Sequence, residues 1–540
     1  ITATTDMATK AYVNSKDGNL SALSTTDKTN LVKAINEVVS VKANKDDVAS
    51  SISNLTNNKA DKATTLTEYG ITDAYTKSEI DTDYNGVKTL YDKNVAAGAG
   101  ANGWTAELVE YSGLTQKQIN NGLESVAQLA DIANPNDGMR VYVKSYHAGL
   151  NKGGGTFVYD ATKTNVNDGI IINGWVRANF EIVYPEMFGA KGDGVTDDSA
   201  ALQSMFKASE TYSKLWFIPK KTYYINGTSS IDITTSGESQ AKILLPKSNA
   251  ACCFKIVRDS DNVEQSIDIA AWDNLVRGRQ DINATNATDK IVYIASNEVA
   301  SVRMGYNYSY TKQERLRIDA TGQATTPLVY TYNSKDGMVV KAYNKSNPIT
   351  VSGLNVEWVG DGDGEQGAII VERDAVTLNN PTVINQDTSV PVKTAVSLAY
   401  CADTIINRPV INNINFDGAG YGIIATGTIG VVINDPQIDN CRHAFSGGYN
   451  VDVTINRGTT TVIDDHWGNR MTLNGTTIKC DNANSVSGIL YAGSDITIKG
   501  VTQVGGNSLL GIRTDPMTLR GRVVIDDVKI ISNSSAVNNF

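Results

Sequence analysis

From residue 348 onward one short word recurs: an apolar residue, a polar one, Gly or Pro, then another apolar residue within two positions. It reads TVSGLNV, TLNNPTVI, IINRPVI, VINDPQI, TINRGTT, TLNGTTI, TIKGVTQV and TLRGRVVI, with its Gly or Pro at 353, 381, 409, 436, 458, 475, 500 and 521. Successive steps are 28, 28, 27, 22, 17, 25 and 21 residues. A single such turn cannot bury its own apolar face, so the repeat predicts coils stacked one on another in a parallel β-solenoid. The 17-residue step is short for a coil and points to a misassigned word there. Asn385, Asn412 or Asn413, and Asn440 fall at matching places in successive words, which predicts side-chain amides bonded along the stacking axis. Val, Ile, Thr, Asn and Gly dominate after residue 210, as short strands and tight turns require.

Residues 226–345 lack an even period, so early coils interrupted by insertions are expected there. Strand-like runs occur at Lys242–Leu245, Cys253–Val257, Lys290–Ile294, Leu328–Tyr332 and Met338–Tyr343. Tyr306, Tyr308 and Tyr310 alternate with polar residues and share one face of a strand, either as a sugar-stacking platform or as a solvent-facing or inter-subunit ladder.

Upstream, the stretch YPEMFGAKGDGVTDDSAALQ (184–203) sets glycines and aspartates where a strand turns into a helix. Thr196, Asp197 or Asp198 is placed to cap that helix near Ser199, and Ala201, Leu202, Met205 and Phe206 form its apolar face. No Gly-Lys-Ser/Thr follows, so a nucleotide loop is not indicated. This stretch, with WFIPKKTYYI from Trp216, resembles the opening segment of the pectate-lyase-like right-handed parallel β-helix superfamily, whose helix caps the N-terminal mouth of the solenoid. Lys220 or Lys221 stands where that family usually has Gly.

Two further stretches resemble phage tail proteins. KADKATTLTEYGITDAYTKSEID (59–81) is similar to stem repeats of tail fibres and tailspikes. ANPNDGMRVYVKSYHAGLNKGGGTFVYD (133–160) with GIIINGWVRA (169–178) resembles the neck domain ahead of the β-helix in tailspikes that degrade capsules. The expected organisation is a stem over 1–95, an α+β neck over 96–180, a mainly β right-handed parallel β-helix over 181–530, and a tail over 531–540. In the stem, Leu31, Ile35, Val38, Ala49 and Ile52 fall near coiled-coil positions interrupted by Lys42 and Lys45. The neck is expected to hold a helix near Thr115–Ile132 and strands Met139–Val143, Gly155–Tyr159 and Ile170–Val176, with His147 in a surface turn.

A formal charge of −10 argues against nucleic acid or an anionic membrane as partner. No apolar run is long enough to span a bilayer and no export signal is present. Five cysteines, Cys252, Cys253, Cys401, Cys441 and Cys480, lack zinc spacing and read as buried thiols of a protein folded in a reducing cytoplasm. The tailspike resemblance implies a homotrimer on a virion tail, assembled in the host cytoplasm. It would attach to the tail or baseplate through its N-terminal region, with a further attachment segment ahead of Ile1. It implies recognition and cutting of bacterial capsular or surface polysaccharide, without cofactor or metal.

Glycoside hydrolysis needs one protonated and one ionised carboxyl. The densest acidic set is VEWVGDGDGEQGAIIVERD (356–374), and a calcium reading of its DGDGE fails for want of the EF-hand spacing. Glu357 or Glu372 is the expected acid, and Asp387 or Asp417 the base or nucleophile; Glu365 and Asp439 are further candidates. Trp358, Arg373, Tyr306 and Tyr308 are candidate sugar contacts. A second constellation, Asp464, Asp465, His466 and Trp467 with Arg470 and with His443, suits sugar binding or β-elimination. Endo-acting glycoside hydrolysis is the leading expectation, with a lyase as runner-up and a non-catalytic binding spike as the other alternative.

Overall fold

In the computed structural model the described residues are 45–59, scattered positions from 33 to 118, and 121–531 without 249–250, 304–307, 361–366, 390, 417, 481–486 and 514–518. The chain forms two compact units, 1–105 and 106–540. In the first, Lys45–Lys59 is an α-helix with Ile52 exposed. The seam residues Leu31, Ile35 and Val38 lie outside the described residues.

In the second unit a short hairpin of Glu110–Tyr111 with Leu114–Thr115 precedes an antiparallel four-stranded sheet in the order Arg140–Ser145, Gly153–Tyr159, Trp175–Arg177, Ile171–Ile172. Val143, Phe157 and Trp175 are buried under it with Leu129. The helix expected as far as Ile132 is replaced over Val126–Asp131 by a 3-10 turn. Gly122 takes a left-handed φ of 79° immediately ahead of Leu123, which bridges to Val143, so the chain must break its spiral there.

The opening stretch folds as its residues require. Asp193 Oδ1 accepts from the amides of Val195 and Thr196, and Asp198 reaches back to the amides of Lys191 and Gly192. Asp197 accepts from Ser199 at the start of helix Ser199–Thr211. The helix buries Leu202, Met205 and Phe206, and the Phe206 ring meets Trp216 edge-on at 5.0 Å and Phe254 at 6.4 Å. It thereby closes the apolar end of the first coils.

Behind it the chain winds into a parallel β-helix. Among the described residues, eleven parallel strands from Asp193–Asp197 to Lys529–Ile531 stack into one sheet, while the remaining strands of each coil join an eighteen-stranded sheet. Alternation sends Val431 and Ile433 inward on Ile429–Asn434, and Val453 and Ile455 on Asn450–Asn456. Each such aliphatic burial stabilises by about 1.5–3 kcal/mol. From residue 353 on, a residue with positive φ recurs at one corner of each coil: Gly353, Asn380, Arg408, Asp435, Arg457, Gly475, Gly500 and Asp527. In the words built on Pro, the proline follows this residue; in those built on Gly, the glycine occupies or follows it. Gly353 admits nothing larger, because a Cβ there would stand 2.1 Å from the Ser239 carbonyl oxygen.

A ladder of amides runs beside that corner. Asn379 donates to Ser352, Asn407 to Asn379, Asn434 to Asn407, Asn456 to Asn434 and Asn474 to Asn456, at 2.8–3.3 Å. The residue separations, 27, 28, 27, 22 and 18, are the coil lengths. The short coil is therefore genuine, with Thr459 in register with Thr477. The misassigned word is the last, since the turn lies at Asp527 and not Gly521. The expected amide stack is a second ladder, Asn440 onto Asn413 at 2.6 Å and Asn413 onto the Asn385 carbonyl at 3.1 Å.

Between strands Lys242–Pro246 and Asn355–Val359, which are in register, the chain departs into an insertion. Its antiparallel sheet has the order Gln265–Ser266, Val339–Asn344, Lys290–Arg303, Tyr308–Arg317. Residues 328–332 carry no strand, although Leu328, Val329, Tyr330 and Tyr332 are buried. The insertion shares a core with Ala402, Ile429, Val451, Trp467 and Ala492 on the flank of the coils. All five cysteines are buried and none is in a disulfide. No described helix is long and apolar enough to cross a membrane.

Candidate functional site

Where the insertion lies along the coils it leaves a cleft of about 420 Å³. Glu372 reaches it from the coil side, directly after strand Ile369–Val371, with Lys255 at 3.4 Å. Glu264 reaches it from the insertion, ahead of Gln265–Ser266. Its carboxylate accepts from Lys341 Nζ at 2.7 Å and from the Tyr343 hydroxyl at 2.5 Å, and those bonds hold it below the usual carboxylate range. Tyr293 and Tyr400, ring centroids 5.7 Å apart, line the same space. Tyr400 takes a left-handed φ of 51°, uncommon for an aromatic residue.

Beneath the carboxylates lies a layer of buried charge. Arg258 packs its guanidinium 3.9 Å over the Tyr343 ring and donates to the Glu372 carbonyl at 2.6 Å and to Asp374 at 3.3 Å. Asp374 Oδ1 also accepts from the Ala402 amide at 3.0 Å; burial pushes this carboxyl up, against the pull of Arg258 and Arg315. The cleft therefore offers two surface carboxylates, aromatic faces and a cationic floor, a set suited to a carbohydrate.

A second cluster forms further along the coils, around Asp464. This carboxylate, 1% exposed, receives Arg513 at 2.8 Å and His466 Nε2 at 3.1 Å, and lies 3.3 Å from His443 Nδ1. Burial pushes its carboxyl up, but the His466 hydrogen bond and the neighbouring charges prevail and hold it low. Burial lowers His443 to about 4, so that imidazole is neutral near pH 7. Rings continue outward: Trp467 stacks on Tyr449 at 5.5 Å and 11°, and Tyr310 of the insertion meets Trp467 at 3.9 Å.

The candidates named from sequence separate into groups. Glu372 enters the cleft, and His443, His466 and Trp467 gather around or beside Asp464. Glu357, Asp387 and Asp439 belong instead to the eleven-stranded sheet and its turns. Glu357 pairs with Lys242 at 2.8 Å, Asp439 with Lys479 at 3.5 Å, and exposed Asp387 caps its own turn through Ser389. Glu372 and Asp387 thus follow strands of different sheets and do not share the cleft.

Three expected sugar contacts are closed to a ligand. Trp358 points into the coil with no exposed surface, because alternation places it inward between core strands. Arg373, also unexposed, donates to the carbonyls of Thr234 at 2.7 Å and Asn347 at 2.8 Å, tying adjacent coils together. Asp465 is enclosed beside Asn450, and burial pushes its carboxyl up to about 7. Arg470 is engaged by Asp452 at 2.6 Å. Tyr306, Glu365 and Asp417 lie outside the described residues; Tyr308 pairs its backbone with Arg303, and its side chain is likewise outside them.

Sequence reasoning missed Glu264, Arg258, Arg315, Lys341 and Tyr343, which sit in or beside the irregular insertion where no period marks an inward or outward face. A larger cavity of about 680 Å³ lies at the neck, but its one carboxylate, Asp168, is taken by the Tyr212 hydroxyl and the Ile170 and Ile171 amides. Among the described residues, no group of three or more His, Cys, Asp or Glu is arranged to hold a metal ion.

Residues 122–180 match the phage tail protein small four-stranded beta-sheet domain. A stretch of 71 residues is 39% identical to Depolymerase 1, a capsule-specific protein of Klebsiella phage K5-2; it spans 13% of this chain and only 9% of that protein. Among solved structures, the tailspike of Acinetobacter phage vB_ApiP_P1 aligns over 74% of this chain and 64% of its own, at 11% identity and TM-score 0.40. The Gp54 tailspike of Acinetobacter baumannii phage AP22, solved with a capsular saccharide, aligns over 65% and 70%, at 13% identity and TM-score 0.38. Residues 122–180 thus form a domain of the phage-tail sheet family, set directly ahead of a parallel β-helix.

Proposed function

We propose that the protein recognises and depolymerises bacterial capsular polysaccharide by endo-glycosidic hydrolysis, with Glu372 and Glu264 as its carboxyl pair. The observation that carries this is their convergence on one tyrosine-lined cleft, with Glu264 held ionised by Lys341 and Tyr343. Glu372 donates a proton to the leaving glycosidic oxygen. Glu264 as carboxylate either activates water or attacks the anomeric carbon, and the anomer first released tells which. Tyrosine faces hold the apolar faces of the sugar rings. The working form is a homotrimer carried on the virion tail through the N-terminal region, with no cofactor in the reaction.

The test is to incubate the protein with capsules from a strain panel and weigh the fragments by mass spectrometry. Hydrolysis yields fragments one water heavier than the anhydro repeat, and Glu372→Gln and Glu264→Gln each abolish them while the fold is kept. Glu357→Gln, Glu365→Gln, Asp387→Asn, Asp417→Asn and Asp439→Asn retain activity. Loss at any of these five, with Glu372→Gln active, relocates the site.

The second reading is β-elimination around Asp464. Its support is a neutral His443 and a carboxylate-held His466 beside the stacked Trp467 and Tyr449. A base of this kind removes the proton next to a uronic carboxylate. Fragments lacking the added water, with the ultraviolet absorbance of a new carbon–carbon double bond, decide for it.

A further inference from the structure

Among the described residues that line the cleft, one guanidinium has no carboxylate within hydrogen-bond reach. Glu264 takes Lys341 at 2.7 Å and Asp374 takes Arg258 at 3.3 Å. Arg315 only shares Asp374 with Arg258, at a distance beyond hydrogen-bond reach. Strand Tyr308–Arg317 carries it into the cleft floor, 2% exposed, with its nearest carboxylate oxygen 4.0 Å away on Asp374. Its Nε and Nη1 are buried and bond to nothing, and Nε of neighbouring Arg258 is also without a partner. A buried guanidinium with orphaned donors is expensive to maintain in a structural role. The same planar fork, desolvated and aimed into a cavity, is well matched to a carboxylate that arrives with a ligand. Tyr400, whose ring centroid is 5.9 Å from the Arg315 guanidinium carbon, supplies a wall beside it.

We infer that Arg315, supported by Arg258, is an anion subsite that takes the carboxylate of an acidic sugar unit, so that the polysaccharide bound here carries uronic-acid-type residues. This deepens the carbohydrate reading of the cleft and rests on it. A neutral glycan would leave the Arg315 donors unsatisfied on binding, whereas an acidic one fills them. Phosphorylated sugars offer a related anion, but a tetrahedral one with more charge, so the two sources are separable.

The experiment is ligand titration by NMR with four small probes: D-glucuronate, its methyl ester, glucose and glucose 6-phosphate. Glucuronate is expected to bind to the wild-type chain, with ester and glucose at least about tenfold weaker. Arg315→Met should remove that preference, and Ala399→Trp, which fills the cleft from its coil side, should remove binding altogether. Ester or glucose binding as well as glucuronate overturns the inference, as does a folded Arg315→Met chain that binds glucuronate unchanged. Tighter binding of glucose 6-phosphate overturns the carboxylate assignment. The comparison of acid with ester uses only the wild-type chain, so it stands even if Arg315→Met does not fold. Capsule and carboxyl-reduced capsule separate the two levels of the argument. Equal cleavage of both sinks the subsite and leaves the depolymerase. Selective glucuronate binding without cleavage of any capsule sinks the depolymerase and leaves the subsite.

Discussion

The imidazole of His443 sits on strand His443–Gly448, 5% exposed, facing Asp464, Arg442, His466 and Arg513. Burial lowers its pKa from 6.5 to about 4, more than Asp464 raises it. Between those two values the unfolded chain binds a proton that the folded chain refuses, so this residue makes stability fall as pH falls from about 6.5 to about 4. At about 1.4 kcal/mol for each pH unit, the full loss is about 3 kcal/mol. Asp465 and Glu314 work in the opposite sense, because burial pushes both up to about 7 and folding then requires them to take up protons as pH rises. The measurement therefore has to be a difference between wild type and His443→Gln. Guanidinium unfolding at pH 7.5, 6, 5 and 4 should show wild type losing about 3 kcal/mol relative to the variant, with most of the divergence below about pH 6. Parallel curves for the two proteins would falsify the enclosed, neutral histidine, and with it the base required for elimination.

The amide ladder permits an internal comparison. Asn434 both donates and accepts within it, whereas Asn474 makes one ladder bond, so Asn434→Ala should cost about 2 kcal/mol and Asn474→Ala about 1; equal unfolding half-lives in guanidinium would contradict this. Arg373→Met should destabilise by about 3 kcal/mol, from two buried carbonyls left without donors and Asp259 without its partner, while polysaccharide affinity at low temperature stays at the wild-type value. Trp358→Ala should behave in the same way, at about 3–5 kcal/mol, and a change in affinity without a change in stability would return both residues to the binding surface. Asp465→Asn should raise stability at pH 8, where wild type either keeps a proton or buries a charge, and no gain in the unfolding midpoint would count against its enclosure.

What the residues alone determined is the solenoid and its closed end. Alternating Val and Ile give each rung one buried face whatever precedes it, and Asn, Asp, Arg or Gly at each corner supplies the left-handed turn within a few bonds of itself. The aspartates after Phe188 cap and turn locally, so their roles were readable in the same way. Even so, a Pro word marks the residue after the corner and a Gly word can mark the corner itself, and that offset turned a genuine 18-residue coil into an apparent step of 17. Which face a tryptophan or arginine takes within a rung was settled only by the stacking of rungs, which drew Trp358 and Arg373 inside. The cleft was decided by tertiary structure alone. Glu264 and Glu372 lie far apart in sequence and meet because the insertion folds back along the coils, and Arg315 faces them for the same reason. No period spans such an excursion, because the docking of one surface on another depends on the shape of both and not on the spacing within either.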